Sequence, residues 1–332
     1  MRKKIGTLLL TGLMLTGAST LKAEAGYDTH PLADEVVAKL AEHGFTEAEV
    51  RKVLAGARRQ ESILEAISRP AERRLTWGEY RKIFVEPNRI TQGVSFWQEH
   101  ADTLKRAEET YGVPAEIIVA IIGVETRYGR IMGRYRVLDA LTTLGFDYPR
   151  RADFFRGQLI EFMQMTREES LEPESLVGSY AGAMGYGQFI PSSFRHYAVD
   201  FDGDGKRNIW SNKVDAIGSV ANYFKEHGWK AGEPVRSNVV MNNPADPAWL
   251  NAGLKPEVTL AEWEERGIST RRDLAPEQVA TLMELTMEDG QHYWFGLHNF
   301  YVITRYNHSH LYAMAVYELS QAIREARESQ ER

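Results

Sequence analysis

The sequence contains no cysteine. That absence excludes thiolate catalysis, disulfide staples, zinc–cysteine sites and iron–sulfur clusters together, and with them any cysteine-linked lipid anchor. An excess of positive charge is also missing: the formal net charge is −6 and no basic stripe runs along the chain. Nucleic acid and anionic membrane surfaces are therefore not expected partners. Internal repeats and low-complexity tracts are lacking, and the 12 prolines are scattered over 332 residues. Beyond the first 25 residues no stretch approaches the ~18 uninterrupted apolar residues of a membrane span. What remains is ordinary globular composition, 43% hydrophobic and 26% charged, in a chain long enough for two or three compact units.

The N-terminus reads as an export signal. Arg2, Lys3 and Lys4 form a basic head, Leu8 to Leu15 an apolar centre, and Ala23-Glu24-Ala25 a small-residue cleavage site before Gly26. The order basic, apolar, small is what export machinery recognises, and removal of residues 1–25 is expected.

From Gly26 onward the pattern is mostly helical. Val36, Val37 and Leu40 share a face with Gly44 as a stop, and Thr46 with Glu49 forms a capping box that restarts the helix. Pro70 breaks the pattern, and Thr76 with Glu79 offers another capped start. A long amphipathic segment is expected over 91–111, ended by Gly112, with Pro114 at a first helical position. Ile117 to Val124 is almost continuously apolar and predicts a helix buried all round. Further helices are expected over 154–165, 214–227 and 311–323, the last followed by a fraying charged tail, and a solvated acidic connector over 168–174. Val235 to Met241 reads as a strand, and Thr281 to Met287 with His292 to Leu297 flank a hairpin turn at Glu288-Asp289-Gly290.

Two features carry chemistry. Glu125 follows eight uncharged residues, and a carboxylate against apolar walls has its pKa raised, which suits a general acid. Position alone leaves open a plain helix-ending glutamate paired with Arg127 or Arg130. The stretch Ser179 to Phe194 gathers glycines, tyrosines and a glutamine. Such residues permit close backbone approach, flat faces for sugar rings and amide groups that read hydroxyls; tight helix packing through small residues is the alternative.

A third feature is the acidic loop Asp200-Phe201-Asp202-Gly203-Asp204-Gly205. It places oxygens at positions 1, 3 and 5 of an EF-hand-like loop, with glycine at 6 and the Lys206 carbonyl at 7. Position 12 is Ser211 rather than Glu, so the standard loop is not satisfied. Three crowded aspartates repel one another without a cation, and a structural Ca²⁺ is the expectation, against a solvated acidic turn.

The motifs Gly123-Val124-Glu125-Thr126-Arg127-Tyr128-Gly129, Ala181-Gly182-Ala183-Met184-Gly185-Tyr186-Gly187-Gln188-Phe189-Ile190-Pro191-Ser192-Ser193 and Asn299-Phe300-Tyr301-Val302-Ile303-Thr304-Arg305-Tyr306-Asn307 closely resemble, in this order, the B-type lytic murein transglycosylases. The resemblance implies an α+β, predominantly helical, lysozyme-like fold: a helical domain over 26–104, a catalytic core over 105–229 and 298–326, and a small β-rich domain over 230–297. It implies cleavage of the β-1,4 bond between N-acetylmuramic acid and N-acetylglucosamine in peptidoglycan, with 1,6-anhydromuramoyl products and Glu125 as the single acid/base. Ser179 and Gln188 match positions that contact substrate, and Tyr80, Tyr223, Tyr306, Asn307 and Tyr312 match residues lining the groove. Arg150 and Arg151 match an arginine pair that meets acidic groups of the substrate, and Asp215 matches the residue that closes the metal loop. If Tyr306 and Asn307 lay in a strand they would face opposite ways, so a bend is needed for both to reach the groove.

The same resemblance implies glycan strands as partner, with other cell-wall enzymes as further candidates, and no organic cofactor. Some relatives carry a lipid-anchoring cysteine at the mature terminus, and this chain has none; a soluble periplasmic form is the expectation. Two other functions fit the residues: a non-catalytic, Ca²⁺-braced murein-binding scaffold, and a lysozyme-like hydrolase that activates water.

Overall fold

The computed structural model describes residues 26–68 and 75–330. The leader 1–25 and the break at Pro70 lie outside the described residues.

The buried helix Ala115–Thr126 is the axis of the larger half of the molecule. Every residue from Ile117 to Gly123 is buried, so it has no solvent face and must be covered on all sides. The C-terminal helix His310–Gln330, the helices Pro87–Glu99 and Ala101–Tyr111, and Lys213–Glu226 cover it. Each fully buried Ile or Val contributes about 1.5–3 kcal/mol relative to exposure, and this axis holds five of them, Ile117, Ile118, Val119, Ile121 and Ile122. A second cluster joins the N-terminal helices Ala33–Ala41, Glu47–Gly56 and Glu61–Ser68 to the pair Val137–Asp147 and Ala152–Glu168. Tyr306 packs against both clusters.

The small β-rich part is a five-stranded antiparallel sheet, in the order Val258–Thr259, Val279–Met287, Gly290–Gly296, Arg236–Met241 and Ile268–Thr270. The predicted hairpin is present. Met287 pairs with Gly290 across the two-residue turn Glu288-Asp289, and Gly290 takes φ 131° there. Both predicted capping boxes form, at Thr46 with Glu49 and at Thr76 with Glu79. Gly112 ends its helix in the left-handed region with φ 72°.

Several expectations need correction. The segment 91–111 is two helices, because His100 (φ −123°, ψ 24°) closes one and opens the next. The break lets Phe96 and Trp97 on one side, and Leu104 and Ala107 on the other, all reach the core. Pro114 caps its helix from outside rather than occupying the first turn. The charged tail does not fray before Gln330. Arg324 pairs with Glu116 at 3.4 Å, and the Arg327 guanidinium lies 4.6 Å over the Trp97 ring. Nor is the acidic connector fully solvated, since Glu168 and Glu169 pair with Arg195 and Arg207. The third motif is a helix, His298–Tyr306, with Asn307 as its extended cap. Helix Val137–Asp147 went unread because residues 137–146 are all buried, which erases any amphipathic period.

Candidate active site

Glu125 occupies the last turn of the buried helix, and the chain beyond it turns sharply. Arg127 and Tyr128 both take left-handed φ, 50° and 59°, and Gly129 follows at 88°. The Arg127 N–H reaches Gly123 O at 3.1 Å and the Tyr128 N–H reaches Ile122 O at 3.3 Å, which satisfies carbonyls the helix would otherwise leave open. Thr126 fastens this end to the glycine-rich stretch: its hydroxyl meets Tyr186 O at 3.0 Å and accepts the Gly129 N–H at 3.0 Å. Gly123 has no room for a side chain, because a Cβ there would lie 2.5 Å from the Tyr128 hydroxyl oxygen.

The carboxyl is half-buried, and the Tyr312 hydroxyl donates to its Oε1 at 2.5 Å. Burial pushes Glu125 up to about 7, while the Tyr312 hydrogen bond pulls the other way. The salt bridge that position alone left open is not made: Arg127 pairs with Glu86 at 3.8 Å, and Arg130 is exposed.

Three phenols surround the carboxylate. Tyr80, Tyr306 and Tyr312 are all raised, first by burial and then by the charge of Glu125. Tyr306 donates to Gly187 O at 2.6 Å, so it ties the third motif to the second. Tyr223 stands behind it, with ring centres 4.6 Å apart, and donates to Arg305 O at 2.6 Å.

The second motif forms a folded loop rather than a helix seam. Ser179 Oγ accepts from the amides of Ala181 and Ala183 at 3.3 and 3.0 Å. Gln188, at φ 52°, donates from Nε2 to Gly185 O and Met132 O at 3.0 and 3.3 Å, which clamps the loop to the chain just after the first motif. Gly182 and Gly185 hold positive φ, and a Cβ on Gly185 would lie 2.4 Å from Ile209 O. Asn307 is exposed at the end of its helix. Arg150 and Arg151 are not brought to this cluster by any hydrogen bond or ion pair among the described residues. They sit exposed in the turn Pro149–Arg151, with the Arg151 guanidinium 4.3 Å over Phe154. Thr126 is the positioning residue that sequence reasoning passed over; its signal was adjacency to Glu125 inside the first motif.

In the acidic loop, Asp200, Asp202 and Asp204 are exposed, and each offers an oxygen within 4.8 Å of the others. Asp200 Oδ1 accepts the amides of Gly203 and Asp204, and Oδ2 that of Gly205, while Asp204 Oδ1 accepts the Lys206 N–H. The backbone is thus already wrapped around the carboxylates, with Gly203 and Gly205 at φ 80° and 88°. Asp215 is buried and accepts from Phe201 N and Asn208 N, each at 2.8 Å, so it braces both ends of the loop.

A profile described as Transglycosylase SLT domain matches residues 28–321. The chain belongs to the transglycosylase SLT family. It is a lytic murein transglycosylase, a lyase that acts on peptidoglycan. It is 47% identical over 311 residues to Escherichia coli membrane-bound lytic murein transglycosylase B, covering 91% of this chain and 85% of that protein. A structure of catenated lytic transglycosylase SltB1 from Pseudomonas aeruginosa matches with 55% identity and TM-score 0.88, covering 91% and 99% of the two chains. Escherichia coli lytic transglycosylase Slt35 in complex with calcium matches with 46% identity and TM-score 0.83, covering 92% and 96%. Pseudomonas aeruginosa SltB3 in complex with NAG-NAM-pentapeptide matches with 32% identity and TM-score 0.79, covering 88% and 78%. The transglycosylase accordingly has the lysozyme-like, predominantly helical α+β fold that the motifs imply.

Proposed function

We propose that this transglycosylase cleaves the β-1,4 bond between N-acetylmuramic acid and N-acetylglucosamine with Glu125 as its only acid and base. The observation that carries this reading is a half-buried carboxyl raised to about 7 by burial and held by the Tyr312 hydroxyl at 2.5 Å. Glycosidases that activate water or form a covalent intermediate use a second carboxylate beside the acid. Here protonated Glu125 gives its proton to the departing glycosidic oxygen as positive character develops at C1. The resulting carboxylate then takes the proton of the sugar's own C6 hydroxyl, which attacks C1 and closes the 1,6-anhydro ring. One group serves both steps and no water is consumed.

Tyr80, Tyr306 and Tyr312 hold the carboxylate and wall its cleft, with Tyr223 behind. Ser179, Gln188 and Asn307 offer polar contacts to the sugars, and Arg150 and Arg151 offer charge to acidic groups farther along the strand. Ca²⁺ fits the acidic loop: the donors are hard carboxylate oxygens on a backbone already turned by two glycines, and a structural relative is a calcium complex. Asp200, Asp202 and Asp204 would hold it, with the Lys206 carbonyl as a fourth donor and Asp215 fixing the loop ends. Its contribution is rigidity beside the site. For localisation, the leader read at 1–25 supports export to the periplasm, and among the described residues no helix is long and apolar enough to cross a membrane.

Replacing Glu125 tests the reading. On purified peptidoglycan, Glu125→Gln is expected to lower the release of soluble muropeptides by about 10²–10⁴-fold, the range for losing general acid–base catalysis. A variant that retains wild-type release would point to another acid, and a wild type that releases nothing would support the non-catalytic scaffold reading.

A further inference from the structure

A cup of arginines opens at one edge of the small sheet, among residues given no role above. Strand Arg236–Met241 pairs antiparallel with the edge strand Ile268–Thr270, with Val239 opposite Thr270. The residues after that edge, Arg271 and Arg272, therefore run back toward Arg236. With Ser237, Asn238 and Tyr317 of the C-terminal helix, the three arginines line a cavity of about 140 Å³.

Arg236 is the anchor. Its side chain is 20% exposed, and it lies 5.1 Å from the Trp294 ring centre and 5.2 Å from that of Tyr317. Nη1 donates to Asn238 Oδ1 at 3.0 Å, but Nε is buried without a hydrogen-bond partner among the described residues. The Glu318 carboxylate stands 4.0 Å from Nη2, and its other oxygen receives Arg81 at 2.5 Å. One carboxylate is thus shared by two guanidiniums. Arg271 and Arg272 are exposed, and neither forms an ion pair among the described residues. Burial holds Arg236 below its ordinary value; Tyr317 and Glu318 oppose this, and the charge of Arg272 adds to it.

A mostly desolvated cation with an unsatisfied N–H and like charges beside it is costly. An anion among these groups would supply both the acceptor and the charge, and guanidiniums suit planar carboxylates and phosphates. We propose that this cup binds a single carboxylate or phosphate group. Tyr317 lies five residues beyond Tyr312 on one helix, about 7.5 Å of rise and about 140° round its axis; the two sources to separate are an acidic branch of the glycan strand and free phosphate. Binding stands by itself; only its use as a subsite rests on the proposed function.

Calorimetric titration of the whole chain tests it, with inorganic phosphate, N-acetyl-D-alanyl-D-alanine and the C-terminal amide of that dipeptide as probes. Either anion binding, weakened by added salt and reduced about tenfold or more in Arg271→Ala/Arg272→Ala, is the expected result. Which of the two anions binds identifies the source. Far-UV circular dichroism and the melting curve check that the double variant folds, and charge-retaining Arg271→Lys/Arg272→Lys is expected to recover part of the affinity. An amide that binds as tightly as a binding acid, binding untouched by the alanine pair, or no binding of either anion at about 10 mM, four decades weaker than a micromolar ligand, would overturn the proposal. No glycan cleavage is measured, so failure here leaves Glu125 untouched, and an inactive enzyme leaves the cup untouched.

Discussion

Glu125 is poised by two opposed influences. Burial raises it to about 7, and the Tyr312 hydroxyl, by donating to the ionised form, holds it below where burial alone would set it. The sign of a test follows. In the proposed mechanism the acid must be protonated to donate, so kcat/KM is expected to fall as pH rises through the Glu125 pKa. Tyr312→Phe removes a donor that favours the carboxylate, the pKa climbs, and the descending limb of the pH–kcat/KM profile is expected to move to higher pH. A limb that stays in place or moves down would mean that Tyr312 does not set the proton affinity of Glu125. The candidate acid itself was legible from eight uncharged residues before a single Glu. Its partner was not: Tyr312 stands 187 residues away, and only the resemblance of motifs pointed to it. Thr126 shows the same limit, since a hydroxyl that staples a helix end to a distant loop leaves no periodic trace.

At the scale of elements, local chemistry was readable where it is local. Capping boxes at Thr46 and Thr76, the left-handed stop at Gly112 and the hairpin at Glu288-Asp289 depend on neighbours within a few residues, and all formed. The buried helix after Pro114 was read from its apolar run, but two other features set by what covers them were missed. Helix Val137–Asp147 is buried from 137 to 146 and so shows no polar face, and the break at His100 lets residues on both sides of it reach the core. The same packing makes Gly123 informative. A methyl there meets the Tyr128 ring at 2.5–2.9 Å, and that ring is fixed by its hydrogen bond to Arg89 O at 2.9 Å. Overpacking costs about 1–3 kcal/mol, against about 1 kcal/mol gained from alanine's helix propensity. Gly123→Ala is therefore expected to lower stability in urea unfolding and to reduce activity by tilting Glu125. An unchanged or raised midpoint would contradict the close packing of the two helices on Tyr128.

For the whole molecule, the site sits where separate clusters meet. Tyr306 touches both, the first and second motifs are stapled by Thr126, and the third closes on the second through Tyr306 to Gly187. Three motifs that are far apart in sequence thus converge on one carboxylate, which is why their order was informative before any geometry was known. The acidic loop follows the second motif in the chain, and a Ca²⁺ there would act on the folded state as a whole. A ligand at about 100 times its Kd stabilises by about 2.7 kcal/mol. Chelation is expected to lower the melting temperature and added Ca²⁺ to restore it; Mg²⁺ at the same concentration should do less, and Asp202→Ala should abolish the response. Identical melting curves with and without chelator would leave the loop a solvated turn.

The central claim is that one carboxylate cleaves the glycan without water, and oxygen labelling addresses it most directly. Peptidoglycan is digested by the wild-type enzyme in heavy-oxygen water, and the soluble muropeptides are weighed by mass spectrometry. Products lighter than hydrolysed ones by one water, with no heavy oxygen at the muramoyl end, are expected. Reducing ends that carry the heavy oxygen would show that water attacks C1, and would contradict the claim.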